Sequence, residues 1–493
     1  MLKKKSIYFA FLVALTFFVY IFFQHVDFQG YEDETYNRIR ENLATGQFKA
    51  SRCGYGQIVL ETPFVFIGEL LNGILNGKKD EFIRIAALFY SPFITALTVG
   101  VAFLLFNLFL SIRQAAFLAV VFGFATMAFP YALIGMEPTS VLCLALSVFF
   151  LFRYGKTQNK KDLFFSGLAF FSLFFGKSYY FFTGPAFALY LLLDSIEKGK
   201  PWFKETFMRL LIFFSPLIAI FPLYIIGNNA SYGDYLKSPY VLQNELFGGE
   251  NFIFGLYGLI FSFGKSFFIY SPILILSLWT FKTFYRHFRK EAIFVSVYTV
   301  ILLLFVSRVH WWSDETWGPR YLVSLCFILS IPLIALFNEE WQAKKYFWKI
   351  FLVLVGLSLT FQMLGVLARY GIFPRTLADV YRQTGHNTLA SSEYQYVPAF
   401  APYLINARLI HNQVFDEKKP LNFRIIYTPP MEQIAEGKPL IKNIEYQPPK
   451  ETSVFDFWWR KYKKKPEIYF SILTVFALIF AALYHFGRKL FRS

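Results

Sequence analysis

Lys3-Lys4-Lys5, an apolar run over residues 6–24, then Tyr31-Glu32-Asp33-Glu34-Thr35-Tyr36: the reading of this stretch decides how the rest of the chain is read. About nineteen apolar residues are long enough to cross a bilayer. Lysines before them mark a cytoplasmic end, and no small-x-small cleavage site follows, so the run reads as an uncleaved first span with its N-terminus inside. The acidic residues come just after that span. Tyr36, Ile39 and Leu43 share a helical face, which predicts a short amphipathic helix running to Ala44 on the membrane surface. Its first turn holds Asp33 and Glu34, where the partial positive charge of a helix start favours an ionised carboxylate. Such a group can accept a proton or bind a cation; an Asp at a helix start serves equally as a cap.

Working outward, composition agrees with a membrane chain. Of 493 residues 56% are hydrophobic, 21% aromatic and only 16% charged, and mean hydropathy is +0.43. A water-soluble globule of this make-up would lack polar surface, so the fold class is an all-α polytopic membrane protein. The formal charge of +17 comes from Lys and Arg clusters between apolar runs, which are topology signals, and nucleic-acid binding is set aside. Cys143 and Cys326 lie in apolar runs and Cys53 in a loop, a pattern that fits neither a disulfide framework nor a cysteine metal site.

The first outer loop, 25–83, also carries Thr62-Pro63, which reads as a helix start. Ile67, Leu70, Leu71, Ile74 and Leu75 follow at helical spacing up to Asn76-Gly77, a helix of about fourteen residues, too short to span. Apolar runs at about 84–110, 115–130, 138–153, 164–176, 179–193, 210–227, 267–283, 292–309, 320–338, 346–368 and 467–486 bring the total to about twelve spans. Counting from an inside N-terminus puts Arg153–Lys161, Lys198–Arg209, Lys282–Lys290 and Lys344–Lys349 in the cytoplasm. The first loop, the turn 131–137, the loop 228–265 and the loop 310–320 fall outside. The chain then divides into a membrane module (1–369), a polar, Pro-rich capping region (370–465) and a last span with a basic tail (466–493). Phe423, Ile425 and Tyr427 alternate as in a short strand. The run Trp458-Trp459-Arg460-Lys461-Tyr462-Lys463-Lys464-Lys465 is basic enough to read as cytoplasmic, yet the parity count puts it outside, where an aromatic and basic stretch lies on a membrane surface.

The acids outside the cytoplasmic loops gather on one face: Asp33 and Glu34, Glu137 in Ala132 to Pro138, and Asp314 and Glu315 in the segment from His310 to Tyr321. Glu137 stands in a short turn between two spans, where a charge is costly and marks function, or else is an interfacial acid before a Pro-started helix. Basic residues on this face are few. Lys177 follows Gly176, Lys265 follows Gly264, and Arg320 follows Trp317-Gly318-Pro319. A guanidinium at the membrane boundary suits a phosphate whose lipid tail lies in the bilayer, whereas Lys177 can equally snorkel to the headgroups.

The order of these signals resembles the GT-C glycosyltransferases, specifically bacterial relatives of the protein O-mannosyltransferases and of the aminoarabinose transferase of lipid A. Asp33-Glu34-x-Tyr36 is similar to the Asp-Glu motif of that family's first outer loop, with its juxtamembrane amphipathic helices. Ala132–Pro138 resembles a second acidic motif. Gly255-Leu256-Tyr257-Gly258-Leu259-Ile260-Phe261-Ser262 through Tyr270-Ser271-Pro272, and Trp317-Gly318-Pro319-Arg320-Tyr321, resemble two more. This chain has Ser313-Asp314-Glu315 where many relatives have glycines.

The resemblance implies a GT-C fold with a small extracytoplasmic C-terminal region, in the plasma (inner) membrane. It implies transfer of a hexosyl or pentosyl group, with inversion, from a polyprenyl-phosphate donor to a lipid, protein or glycan acceptor. Asp33 would be the general base; Glu34 and Glu137 would orient the acceptor or stabilise the sugar ring. Arg320, Lys265 and Lys177 would hold the donor phosphate, and Tyr36, Trp312, Asp314, Glu315 and Tyr321 would line the substrate site. Family members differ in using a divalent cation (Mg or Mn), and the sequence leaves that open. A lipid or solute transporter or flippase is the alternative, disfavoured by the absence of matched interrupted helices in two halves and by acids gathered on one face.

Overall fold

The computed structural model describes all residues except 1, 26–31, 52–53, 75–79, 200, 236–251, 310–315, 343–344, 385–397, 416–420, 427–440, 447–453 and 493. Every expected apolar run is helical. Among the described residues nine helices are long and apolar enough to cross a membrane. Eight coincide with expected spans, and the ninth is Tyr55–Ile74. The remaining four runs are shorter or broken. Ile112–Phe124 is a short helix. The run after Lys160 passes from Lys160–Phe171 through two 3-10 turns, Ser172–Phe175 and Ser178–Thr183, to Gly184–Glu197. The run after Lys265 is interrupted at Ser271, because Pro272 offers no N–H to the preceding turn and crowds it.

Two expectations change here. The helix expected to start at Thr62-Pro63, and to be too short to span, starts at Tyr55 with Pro63 inside it, and its 20 residues are long and apolar enough to cross a membrane. Thr62 is no cap; its hydroxyl donates back to the Ile58 carbonyl at 2.7 Å, as Thr does within a helix. The loop expected over 228–265 contains a ten-residue helix, Phe252–Phe261, with Gly255 set directly against the Ser307 backbone.

The acidic amphipathic helix forms as expected, over Glu32–Thr45, but its apolar face turns to protein rather than lipid. Tyr36 and Ile39 pack with Ile58, Val65, Ile83 and Ala87, while Leu43 is left 49% exposed.

The helices share two ends. Tyr8 donates to the Leu490 carbonyl at 2.9 Å, so the last helix, Pro466–Arg492, ends beside the start of the first, Leu2–Phe23. Tyr8 also stacks on Phe103, near the turn where Lys156 donates to the Leu108 carbonyl. Lys198 donates to the Gly155 carbonyl at 2.9 Å, Lys290 meets Asp194 at 2.5 Å, and His287 meets Asn338 at 3.3 Å. The basic segments therefore converge at one end, as the charge count expects.

At the other end, Trp458 and Trp459 each donate an indole N–H, at 2.7 Å, to the Ile21 and Phe22 carbonyls that close the first helix. Lys461 and Tyr462 both reach Glu81, at 3.2 and 2.8 Å. Burial pushes the Tyr462 hydroxyl up, so it stays a donor to that carboxylate. The basic stretch whose side was ambiguous thus lies with the first outer loop.

Within the C-terminal region one antiparallel ladder joins β1, Leu421–Ile426, to β2, Ile441–Tyr446, with Phe423 opposite Ile444 and Ile425 opposite Lys442. The expected strand is present; Tyr427 lies outside the described residues. Ile372, Phe373, Leu377, Phe400, Ile405 and Leu421 form a small core of their own. It meets the bundle where the Tyr403 ring packs on Phe361 and Tyr270, and where Asn406 donates to the Leu364 carbonyl at 3.1 Å.

Candidate active site

The turns that carry Glu137, Lys177 and Arg320 come together at the face opposite the basic end. Glu137 precedes the helix Pro138–Thr157, which finishes beside the basic cluster. Pro138 at the first helical position needs no N–H acceptor, so the turn can stop abruptly at Glu137. The Glu137 side chain makes no capping bond. Instead Oε1 lies 3.6 Å from the Lys177 ammonium, and Oε2 accepts from the Tyr179 hydroxyl at 3.5 Å. Glu137 and Lys177 are 1% and 2% exposed, so the two side chains face each other inside the protein rather than the membrane surface.

Lys177 is held by its backbone. Its N–H donates to Ser140 Oγ at 3.3 Å, and Gly176 leaves no room for a side chain against that same oxygen. Next to it, Tyr179 meets the Tyr321 ring edge-on at 5.9 Å and stacks on Phe305.

Arg320 reaches the other side of the same turn. One terminal nitrogen lies 2.9 Å from the sulfur of Met136, the residue before Glu137, and the other donates to the Tyr321 hydroxyl. The guanidinium also sits over the Tyr321 ring, 4.6 Å from its centre. Arg320, Tyr321, Lys177 and Glu137, all buried, thus form one cluster with the half-buried Tyr179.

Lys265 has a different position from Lys177 and Arg320. Its ammonium donates to the Thr316 carbonyl at 3.1 Å, to Thr316 Oγ1 at 3.3 Å and to the Gly318 carbonyl at 2.8 Å. All three acceptors lie in the segment that leads to Arg320. Lys265 therefore shapes the loop that delivers Arg320. Gly318, at φ +61°, is the residue that lets that loop turn. Tyr131 pins the loop from the far side, donating to the Trp317 carbonyl at 2.8 Å.

The acidic helix is tied to the cluster through the first outer loop. Thr35 donates to Ser51 Oγ at 3.1 Å, and Ser51 pairs with Gly54. Gly54, at φ +86°, lies directly on the Phe175 carbonyl and Gly176, one residue before Lys177. Glu34 is half-buried in this helix. Tyr36 is packed between Arg40, which donates to its hydroxyl at 3.1 Å, and Arg84. The side chain of Asp33, and residues Trp312, Asp314 and Glu315, lie outside the described residues. Among the described residues no three His, Cys, Asp or Glu side chains converge to hold a metal ion.

Sequence reasoning named both charges of the Glu137–Lys177 pair but not their pairing. It missed Tyr179, whose only signal was its place two residues after Lys177. Ser140, Met136 and Thr316 carried no signal, since each takes its role from a contact made across the fold.

The sequence profile of the dolichyl-phosphate-mannose-protein mannosyltransferase family matches residues 67–224. The matched family is one of mannosyltransferases, in agreement with the resemblance carried by the motif order. The matched range contains Glu137, Ser140, Lys177 and Tyr179; Asp33, Lys265 and Arg320 lie outside it. No curated protein matches the chain.

Proposed function

We propose that this chain transfers a sugar, with inversion, from a polyprenyl-phosphate donor to an acceptor on the extracytoplasmic face of the plasma membrane. The observation that carries this reading is the cluster of buried Glu137, Lys177 and Arg320 with Tyr179 at the end of the bundle opposite the basic segments. Burying ionisable groups at that depth is costly, and such clusters mark sites where charge is handled.

In this scheme Arg320 and Lys177 hold the donor phosphate and stabilise it as a leaving group, with Lys265 fixing the loop that presents Arg320. Asp33, in the first turn of the acidic helix, takes the proton from the acceptor hydroxyl as it attacks the anomeric carbon. Glu137 and Glu34 orient the acceptor and offset positive charge developing on the sugar ring. Tyr321 closes the phosphate side, and the region 370–465 covers this end of the bundle through Tyr403. The donor's phosphate linkage already carries the driving energy, so no nucleotide is consumed.

Purified protein in detergent, given undecaprenyl-phosphate sugars in turn with cell-envelope acceptors, should release undecaprenyl phosphate and form a glycosylated product. Lipid crossing vesicle membranes with the sugar bond intact would replace this reading by a flippase.

A further inference from the structure

The Glu137 carboxylate occupies the ammonium assigned to the phosphate. Lys177 Nζ and Glu137 Oε1 are 3.6 Å apart, with side-chain exposures of 3% and 0%, and the Tyr179 hydroxyl holds the other carboxylate oxygen at 3.5 Å. Arg320 lies against Met136, so the dipeptide Met136-Glu137 sits between the two cations. Counted together, Glu137, Lys177 and Arg320 sum to +1, which complements the single negative charge of a phosphodiester.

We propose that Glu137 and the donor phosphate are competing anions for the Lys177 ammonium, so that phosphate binding releases Glu137 towards the acceptor and Glu137 later helps expel the product phosphate. This rests on reading Arg320 and Lys177 as the phosphate site. The physical reason is exchange of like for like. A buried ammonium stripped of one anion must find another, and a phosphate arriving beside Arg320 supplies it while repelling the carboxylate. Tyr179 gives the released carboxylate a hydrogen bond to swing about. After transfer the lipid carries a phosphate monoester, with charge nearer −2, which holds Lys177 more firmly than the diester did. Return of Glu137 to Lys177 then offsets that grip and speeds release. Lys177 is in this sense a switch for Glu137 as well as a ligand.

The test is a double-mutant cycle on binding of undecaprenyl phosphate to the full-length protein in detergent. Glu137→Gln keeps the shape of the side chain and removes the competing charge, so it should tighten binding by about two- to a hundredfold, the span of couplings between contacting residues. In a Lys177→Met background the same Glu137→Gln change should gain almost nothing, because the contested ammonium is gone. Lys177→Gln serves as a second truncation, and each variant is accepted on its elution as a monodisperse species. An equal gain in both backgrounds means simple repulsion at a distance and overturns the competition. No gain in either overturns it as well. Failure of the folded wild-type chain to bind undecaprenyl phosphate at all defeats the donor reading itself, a result distinct from either of these.

Discussion

Asp33 and Arg320 are assigned opposite duties, and single substitutions separate them. Asp33→Asn preserves size and most hydrogen bonding but removes the basicity proton abstraction needs. Turnover should fall about 10²–10⁴-fold, the usual range for losing a general base, with donor affinity little changed. Arg320→Ala removes a charged contact to a phosphate present in the bound donor, so donor binding itself should weaken. Donor binding and single-turnover rates for both variants check the pattern; near wild-type turnover in Asp33→Asn assigns the base elsewhere. A third residue tests the link between the acidic helix and the cluster. Gly54 combines φ +86° with direct contact to the Phe175 carbonyl, so Gly54→Ala adds strain and a clash. It should cost on the order of 1–3 kcal/mol from the backbone alone. It should also displace Lys177 through Gly176, read as a lower thermal midpoint together with weaker undecaprenyl phosphate binding.

At the scale of elements, the helices were legible because apolar runs of spanning length have one stable solution in lipid. What the sequence hid was how they end. Thr62-Pro63 reads as a start, yet the helix begins at Tyr55, since a proline one turn or more inside can be carried when neighbouring helices hold it. Leu43 matches the spacing of Tyr36 and Ile39 but lies beyond the edge of the packed neighbour, a limit set by tertiary contact. The Glu137–Lys177 pair joins two turns forty residues apart, and nothing local in either turn encodes the other. The same holds for Asp194, which reads as an ordinary acid near a helix end. Its fully buried carboxylate receives Lys198 at 2.8 Å, Arg209 at 2.9 Å, Lys290 at 2.5 Å and Gln158 at 3.0 Å. One acid thereby ties the helices Pro138–Thr157, Gly184–Glu197, Trp202–Phe214 and Arg289–Arg308 at the basic end. Asp194→Asn leaves cations facing each other without their counter-charge, a change that typically costs about 3–5 kcal/mol in buried pairs. The thermal midpoint should drop clearly, while undecaprenyl phosphate affinity of the protein still folded should hold, because the cluster lies at the far end of the bundle.

For the whole molecule, the structure groups the charged segments into two ends, and the positive-inside bias predicts which side of the membrane each end faces. Lys156, Lys198, Arg209 and Lys290 meet at the end where the chain's first and last helices place Lys3–Lys5 and Arg488. Glu137, Lys177, Lys265 and Arg320 are at the opposite end, and so is the basic run Trp458–Lys464, pinned to the close of the first helix by its two tryptophans. Charge alone would have drawn that run to the cytoplasm. The hydrogen bonds to Ile21 and Phe22 instead fix that run at the end that holds Glu137, so the two share one side of the membrane. The arrangement predicts a labelling pattern. In a background without Cys53, Cys143 and Cys326, single cysteines at the exposed positions Thr45 and Lys463 should react with an impermeant thiol reagent in intact cells. Cysteines at Lys160 and Arg488, also exposed, should react only after the membrane is ruptured. Labelling of Lys463 on the same side as Lys160 would break the grouping by ends. Labelling of Thr45 and Lys463 together, but only after rupture, would keep the grouping and invert the protein, placing the Glu137 cluster in the cytoplasm, where transfer to an extracytoplasmic acceptor has no route.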